Sequence, residues 1–280
     1  MDTKILNPLS GRYVLKTGKI GSAIVQKQRK TVLSHGCKNN GMMQSIGTCW
    51  FNSIFNNLLL SQRAYSYFMN KYKELPENER KLIETTDFSE NCPLTIQKSH
   101  FYHFFYKYHL DKPKNRLLSY INRPKHAQKL INKLNIRSPD WEKERQGYYI
   151  DGALKKILPI IFDKHEYIMI DTKHKHKIYK KTDFIFVDKP IIAEPVIYNN
   201  YVIDHAVIVL TLNKDAHVIS AYKCENDYYI YDSNSLKYHK VDWTNLDNLK
   251  KYMQLYKFFN LFNKGSTFEL SYEYICYIMP

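Results

Sequence analysis

The stretch MMQSIGTCWFNSIFNNLLL, residues 42–60, decides how the rest of the chain is read. After Cys49 the apolar residues Phe51, Ile54, Phe55, Leu58 and Leu59 recur at helical spacing, and Tyr65 and Phe68 carry the stripe onward. This spacing predicts a buried helix that begins beside Cys49. Gly47 permits a tight turn just before it. Unpaired backbone N–H groups and the dipole at a helix N-terminus favour a thiolate, the form of cysteine that acts as a nucleophile. The bland alternative is core filling, because free cysteine is commonly buried.

Working outward, further helices are predicted around Thr95 to Leu110, which carries the run HFYHFFYKYHL, around Lys125 to Leu134 and around Gly152 to Leu158. Pro113, Pro124 and Pro139 divide this middle region. Beyond about residue 160 the character changes to short runs rich in Val, Ile, Phe and Tyr: 167–170, 184–187, 202–210, 218–222 and 228–231. Helices followed by strands give an α+β protein whose helical half packs against an antiparallel β-sheet half. Residues 1–36, basic and punctuated by glycine, read as an N-terminal arm or small adaptor module ahead of a domain spanning 37–280.

Composition narrows the class. At 44% apolar and 15% aromatic, with 24 tyrosines, the chain is too hydrophobic to be generally disordered. No apolar run reaches the about 20 residues that cross a bilayer, and MDTKILNPLS lacks the order of a secretory signal, so neither membrane insertion nor export is expected. The five cysteines are odd in number and dispersed, with no CxxC pair, and are expected to be reduced thiols that bind no metal. A net charge of +15 favours an acidic or polyanionic partner. The first 48 residues hold eight Lys or Arg against one Asp, and KHKHKIYKK at 173–181 is a second basic cluster; nucleic acid, an acidic protein surface and simple solvation all fit.

A nucleophilic cysteine needs a base, and HAVIVLTLNKDAHVISAYKCENDYYIYDSNS, residues 205–235, offers two histidines and a carboxylate. If 218–222 and 228–231 form a hairpin over KCEND, His217 and Asp232 fall at the same end of the sheet. Asp232 then holds one imidazole nitrogen while the other faces the thiol. His205, which follows Asp204, is the competing base. His100, His103 and His109 are assigned to the surface or boundary of an aromatic helix, and His174 and His176 to a Lys-rich run with no ligand partners.

These segments resemble those of a known family. GTCWFNS is similar to the Cys box of ubiquitin-specific proteases at Thr48, Cys49, Trp50, Asn52 and Ser53. The segment from His205 to Tyr222 is similar to the family's His box, with His217 in the catalytic position, and YYIYDSN resembles the stretch supplying the third triad member, Asp232. The resemblance implies a papain-like fold and a Cys49, His217, Asp232 triad. It also implies an oxyanion-stabilising amide five residues before the nucleophile, the place of Gln44. The motif Asp204-His205-Ala206-Val207 resembles the histidine region of papain-type enzymes and keeps His205 open as the base. Ala216 stands where the family usually has Gly, and the family's zinc-binding CxxC pairs are lacking.

The function so implied is thiol-dependent hydrolysis of the peptide or isopeptide bond after a ubiquitin C-terminus, with ubiquitin or ubiquitin-like conjugates as partners and no cofactor. The alternatives are a protease for a viral or ubiquitin-like precursor, and a non-catalytic basic adaptor that binds nucleic acid or ubiquitin. NPLSGRYVLKTGKIG at the N-terminus resembles short motifs of large nucleocytoplasmic DNA viruses, which implies host cytoplasm and the virion as locations.

Overall fold

The structure, a computed structural model, describes residues 4–6, 13–15, 48–86, 94, 96–109, 130–136, 150–171, 181–197, 200–212, 215–234, 237–255 and 267–279. Near the N-terminus β1 (Lys4–Leu6) and β2 (Tyr13–Leu15) pair antiparallel, Lys4 opposite Leu15.

Helix α1 (Cys49–Leu60) begins at the expected cysteine, and every one of its residues is buried. The apolar stripe that continues to Phe68 is not one helix, however. Ser61 turns the chain to an extended conformation (ψ 132°), and its hydroxyl accepts from Ala64 N at 3.3 Å, capping a second helix, α2 (Gln62–Glu74). Helix α3 (Glu77–Thr85) follows, with Glu77 and Glu79 in its first turn, where the dipole favours negative charge. Helices α4 (Gln97–His109) and α5 (Ile150–Ile161) fall where the sequence predicts them. Of the predicted helix at 125–134, residues 130–133 are helical and the earlier ones lie outside the described residues.

Phe68 ties the helices together. Its ring meets Phe101 and Phe105 of α4 at 4.8 and 6.1 Å, Phe162 just beyond α5 at 5.4 Å and Phe184 of the sheet at 6.3 Å. Such aromatic pairs add directional packing to the burial of large rings.

The sheet contains β3 (Tyr167–Asp171), β4 (Phe184–Asp188), β5 (Val196–Ile197), β6 (Tyr201–Leu212), β7 (Asp215–Cys224), β8 (Asp227–Asp232), β9 (Lys237–Lys240) and β10 (Glu269–Ile278). Their order is β3-β4-β10-β6-β7-β8-β9, with β5 also against β6. All neighbours are antiparallel except β3 and β4, so the expected antiparallel sheet is mixed at one edge. The chain is α+β, with a helical half packed against this sheet.

Both sheet faces are covered. Val207, Val218, Tyr222, Tyr231 and Tyr274 join the helical core, while Ala206, Ile208, Ile219, Ile230 and Ile275 form a second core. Trp243 and two residues of α6 (Leu246–Leu255), Leu249 and Met253, close that second core. Burial on both faces explains why β6 reads as a nearly continuous apolar run rather than an alternating one.

Three expectations are corrected here. His100 and His103 are buried, at 6% and 0% exposed, rather than at the surface of α4. His103 survives there because its Nε2 meets the Thr86 carbonyl at 2.8 Å, and burial lowers its pKa to about 4, which keeps the ring neutral. Cys224 takes part in a disulfide, so the cysteines are not all reduced; Cys49 and Cys276 are free thiols.

Candidate active site

Cys49 is the first residue of α1 and is 9% exposed, which leaves its thiol at the positive end of the helix dipole. The helix lies across β7, β6 and β8. This brings Cys49 to the strands that carry the candidate bases.

The hairpin expected over KCEND forms: β7 and β8 pair Cys224 with Asp227 and Ser220 with Tyr231, across a turn in which Glu225 takes a positive φ of 55°. Gln62 Oε1 accepts from Glu225 N at 2.7 Å, holding this turn against the start of α2. The β7–β8 pairing stops at Ser220 and β8 ends one residue later, level with Ile219, so residues 215–218 of β7 run past the end of β8. His217 lies in that overhang, beside the last residue of β8, Asp232.

The two side chains meet. His217 Nε2 and Asp232 Oδ1 are 2.8 Å apart, with 12% and 2% of the side chains exposed. Asp232 Oδ1 also accepts from Asn234 N at 2.9 Å, a contact that fixes the carboxylate after the strand ends. With Nε2 turned to Asp232, Nδ1 is the nitrogen left for the Cys49 thiol, to which His217 is also hydrogen-bonded. Burial opposes charge on the ring, but the hydrogen bonds to Asp232 and Cys49, and the charges on both, outweigh it. They raise the His217 pKa from 6.5 to about 9.

His205 is excluded from this site by register. It stands opposite Tyr222 on β7, whereas His217 stands opposite Leu210 on β6. Five residues of strand separate the two levels, about 17 Å. His205 instead binds Asp204 Oδ2 through Nδ1 at 2.7 Å, and its ring lies edge-on to Phe186 and Tyr274, fully buried.

Gln44, His174 and His176 lie outside the described residues. Trp50 and Tyr222, the aromatic residues of the Cys-box and His-box segments, are packed in the core at 1% and 0% exposure. Among the described residues no group of three or more His, Cys, Asp or Glu could hold a metal ion, and no helix is long and apolar enough to cross a membrane.

Sequence reasoning passed over the buried polar residues of α1 and its end. Asn57 Nδ2 donates to Ala206 O at 2.7 Å, Ser220 Oγ to Ser53 O at 3.3 Å and Ser61 Oγ to Asp204 Oδ2 at 2.5 Å. The available signal was the four-residue spacing of Cys49, Ser53 and Asn57, with Asn52 and Asn56 beside the last two, inside a helix whose remaining residues are apolar.

No family model matches the sequence, and no curated protein does. Among solved structures, a chain of the Ubp8-Sgf11-Sgf73-Sus1 SAGA DUB module is similar, with a TM-score of 0.46 and 9% identity over 96% of this chain and 76% of that chain. At that distance, the site's chemistry rests on its own geometry.

Proposed function

We propose that the chain is a cysteine protease that hydrolyses the bond following the C-terminus of ubiquitin or a ubiquitin-like protein, with Cys49 as nucleophile, His217 as base and Asp232 as the residue that orients it. The observation that carries this reading is the hydrogen-bonded sequence Cys49, His217, Asp232, assembled from a helix start and two strands. Neither a core cysteine nor a turn aspartate by itself requires that convergence. The substrate class comes from the Cys-box and His-box resemblance.

His217 takes the proton of the Cys49 thiol as attack begins, and Asp232 supports the charge on the imidazolium that forms. The thiolate attacks the scissile carbonyl carbon, and the oxygen becomes negative in the tetrahedral intermediate. The Cys49 backbone N–H and the Gln44 side-chain amide are the donors assigned to that oxygen. The imidazolium gives its proton to the leaving amine as the carbon–nitrogen bond breaks, which leaves a thioester on Cys49. His217 then takes a proton from water, the hydroxide attacks the thioester, and the carboxylate leaves as the thiol is restored.

The test is turnover on C-terminal fluorogenic amides of ubiquitin, of a ubiquitin-like protein and of their terminal peptides alone. The reading predicts cleavage of at least one full-length substrate well above its peptide, abolished in Cys49→Ala. Cleavage of the peptides and full-length substrates at equal rates would point to a general thiol protease. No cleavage of any would remove the hydrolase reading.

A further inference from the structure

Cys49, Ser53, Asn57 and Ser61 follow one another at steps of four, so they share the face of α1 that lies on the sheet. Each position meets a strand. Cys49 bonds His217 of β7, the Ser53 carbonyl accepts from Ser220 of β7, Asn57 donates to the Ala206 carbonyl of β6, and Ser61 donates to Asp204 of β6. On the strands these contacts also advance in order. Ala206 stands opposite Ala221, and Asp204 lies one step beyond the pair His205 and Tyr222, level with residue 223 of β7.

The spacings agree. From 217 to 223 is six residues of strand, about 20 Å. From Cys49 to Ser61 is twelve residues of helix, about 18 Å. The contacts therefore form one seam in which helix and strands stay in step from the thiol to the far end of α1.

The far contact is energetically the least expected. Ser61, Asp204 and His205 are all fully buried, and Asp204 Oδ2 serves both Ser61 and His205. Asp204 Oδ1 and His205 Nε2 have no hydrogen-bond partner among the described residues. A buried ionisable pair with unmatched atoms contributes little stability relative to well-packed apolar residues, and its best-attested use is to fix register.

We propose that Ser61, Asp204 and His205 are positioning residues that fix how far α1 slides along β6 and β7, and thereby set the separation of Cys49 from His217. The inference rests on the reading of those two residues as nucleophile and base. Because α1 is stiff and buried throughout, a shift at Ser61 is carried along its axis to Cys49. A misplacement of about 1 Å from a remote change can cost a hundredfold in rate.

The test does not depend on ubiquitin. The rate at which iodoacetamide alkylates Cys49, read by peptide mass mapping, is compared at about pH 6 and about pH 9 in the wild type, Ser61→Ala, Ser61→Thr and Asp204→Asn, with the melting temperature of each. An ordinary thiol reacts on the order of a hundredfold more slowly at the lower pH, whereas a thiolate paired with His217 retains most of its rate. The proposal predicts that Ser61→Ala loses tenfold or more at about pH 6 with little change at about pH 9, and that Ser61→Thr, which keeps the hydroxyl, restores the wild-type profile. Asp204→Asn replaces the carboxylate shared by Ser61 and His205 and is read the same way if Ser61→Ala does not fold. Wild-type profiles in both variants, with only the melting temperature lowered, overturn the proposal. A wild-type Cys49 that behaves as an ordinary thiol overturns the nucleophile and base assignment beneath it. Failure on ubiquitin substrates with an intact wild-type profile removes the substrate reading alone.

Discussion

His217 Nε2 donates to Asp232 Oδ1 at 2.8 Å, across the point where β8 ends and β7 continues paired only with β6. The overhang lets a residue from the strand interior and one from a strand terminus meet, which pairing in register would have kept on separate levels. Every other feature of the candidate site depends on this contact, since it decides which imidazole nitrogen faces Cys49.

A pKa raised from 6.5 to about 9 means that the folded state holds the His217 proton more tightly than the unfolded chain. The stabilisation is therefore complete below about pH 6.5 and is lost as pH rises through about 9. NMR titration should find His217 protonated at neutral pH, with its pKa falling in Asp232→Asn and in Cys49→Ala as each favourable partner is removed. A wild-type His217 that titrates at or below 6.5 contradicts the geometry.

His103 has the opposite sign. Burial lowers its pKa to about 4, so the unfolded chain binds the proton more tightly, and stability present above about pH 6.5 is lost as pH falls towards 4. The loss amounts to ~3 kcal/mol. His103→Gln keeps a donor for the Thr86 carbonyl but does not titrate, so its unfolding free energy should fall less between pH 7 and pH 4 than that of the wild type. Equal losses in the two proteins would show that His103 is not the acid-sensitive group.

Phe68→Ala should destabilise the protein by about 3–5 kcal/mol in denaturant unfolding, the range for removing a large core aromatic. The ring is fully buried and contacts aromatic residues on α4, beyond α5 and on β4. A cost below about 1 kcal/mol would mean that these elements do not share one core.

Gln44→Ala should lower kcat by about 100- to 1000-fold while moving KM much less, as expected for a donor that engages only when the carbonyl oxygen becomes negative. Gln44→Asn should retain part of the activity, because it keeps the amide on a shorter stem. Near-normal turnover in Gln44→Ala would assign the oxyanion to other donors.

Much of the arrangement is legible in the sequence where local pattern and tertiary burial agree. The stripe from Phe51 to Leu59 has helical spacing and becomes the most buried helix, and the runs rich in Val, Ile and Tyr at 202–210, 218–222 and 228–231 become β6, β7 and β8. The break at Ser61 is hidden because apolar residues continue at near-helical spacing on both sides; only the capping hydroxyl marks it. Strand β10 carries strand-forming residues, but its place between β4 and β6 is a long-range pairing that no local pattern encodes. Helix α6 escapes notice because only Leu249 and Met253 are buried, too narrow a stripe to recognise. Motif and hairpin reasoning bring His217 and Asp232 together, but only register separates His205 from them, since both histidines begin apolar runs in the sequence.

The most direct measurement is covalent capture of the chain by ubiquitin bearing an electrophile at its C-terminus, followed by intact mass and peptide mapping. The account predicts one adduct per chain, located on Cys49 alone, absent in Cys49→Ala and slowed by at least about a thousandfold in His217→Ala, as expected when a nucleophile loses its base. Wild-type labelling at a different cysteine, or labelling of Cys49 that proceeds equally well in His217→Ala, would contradict it.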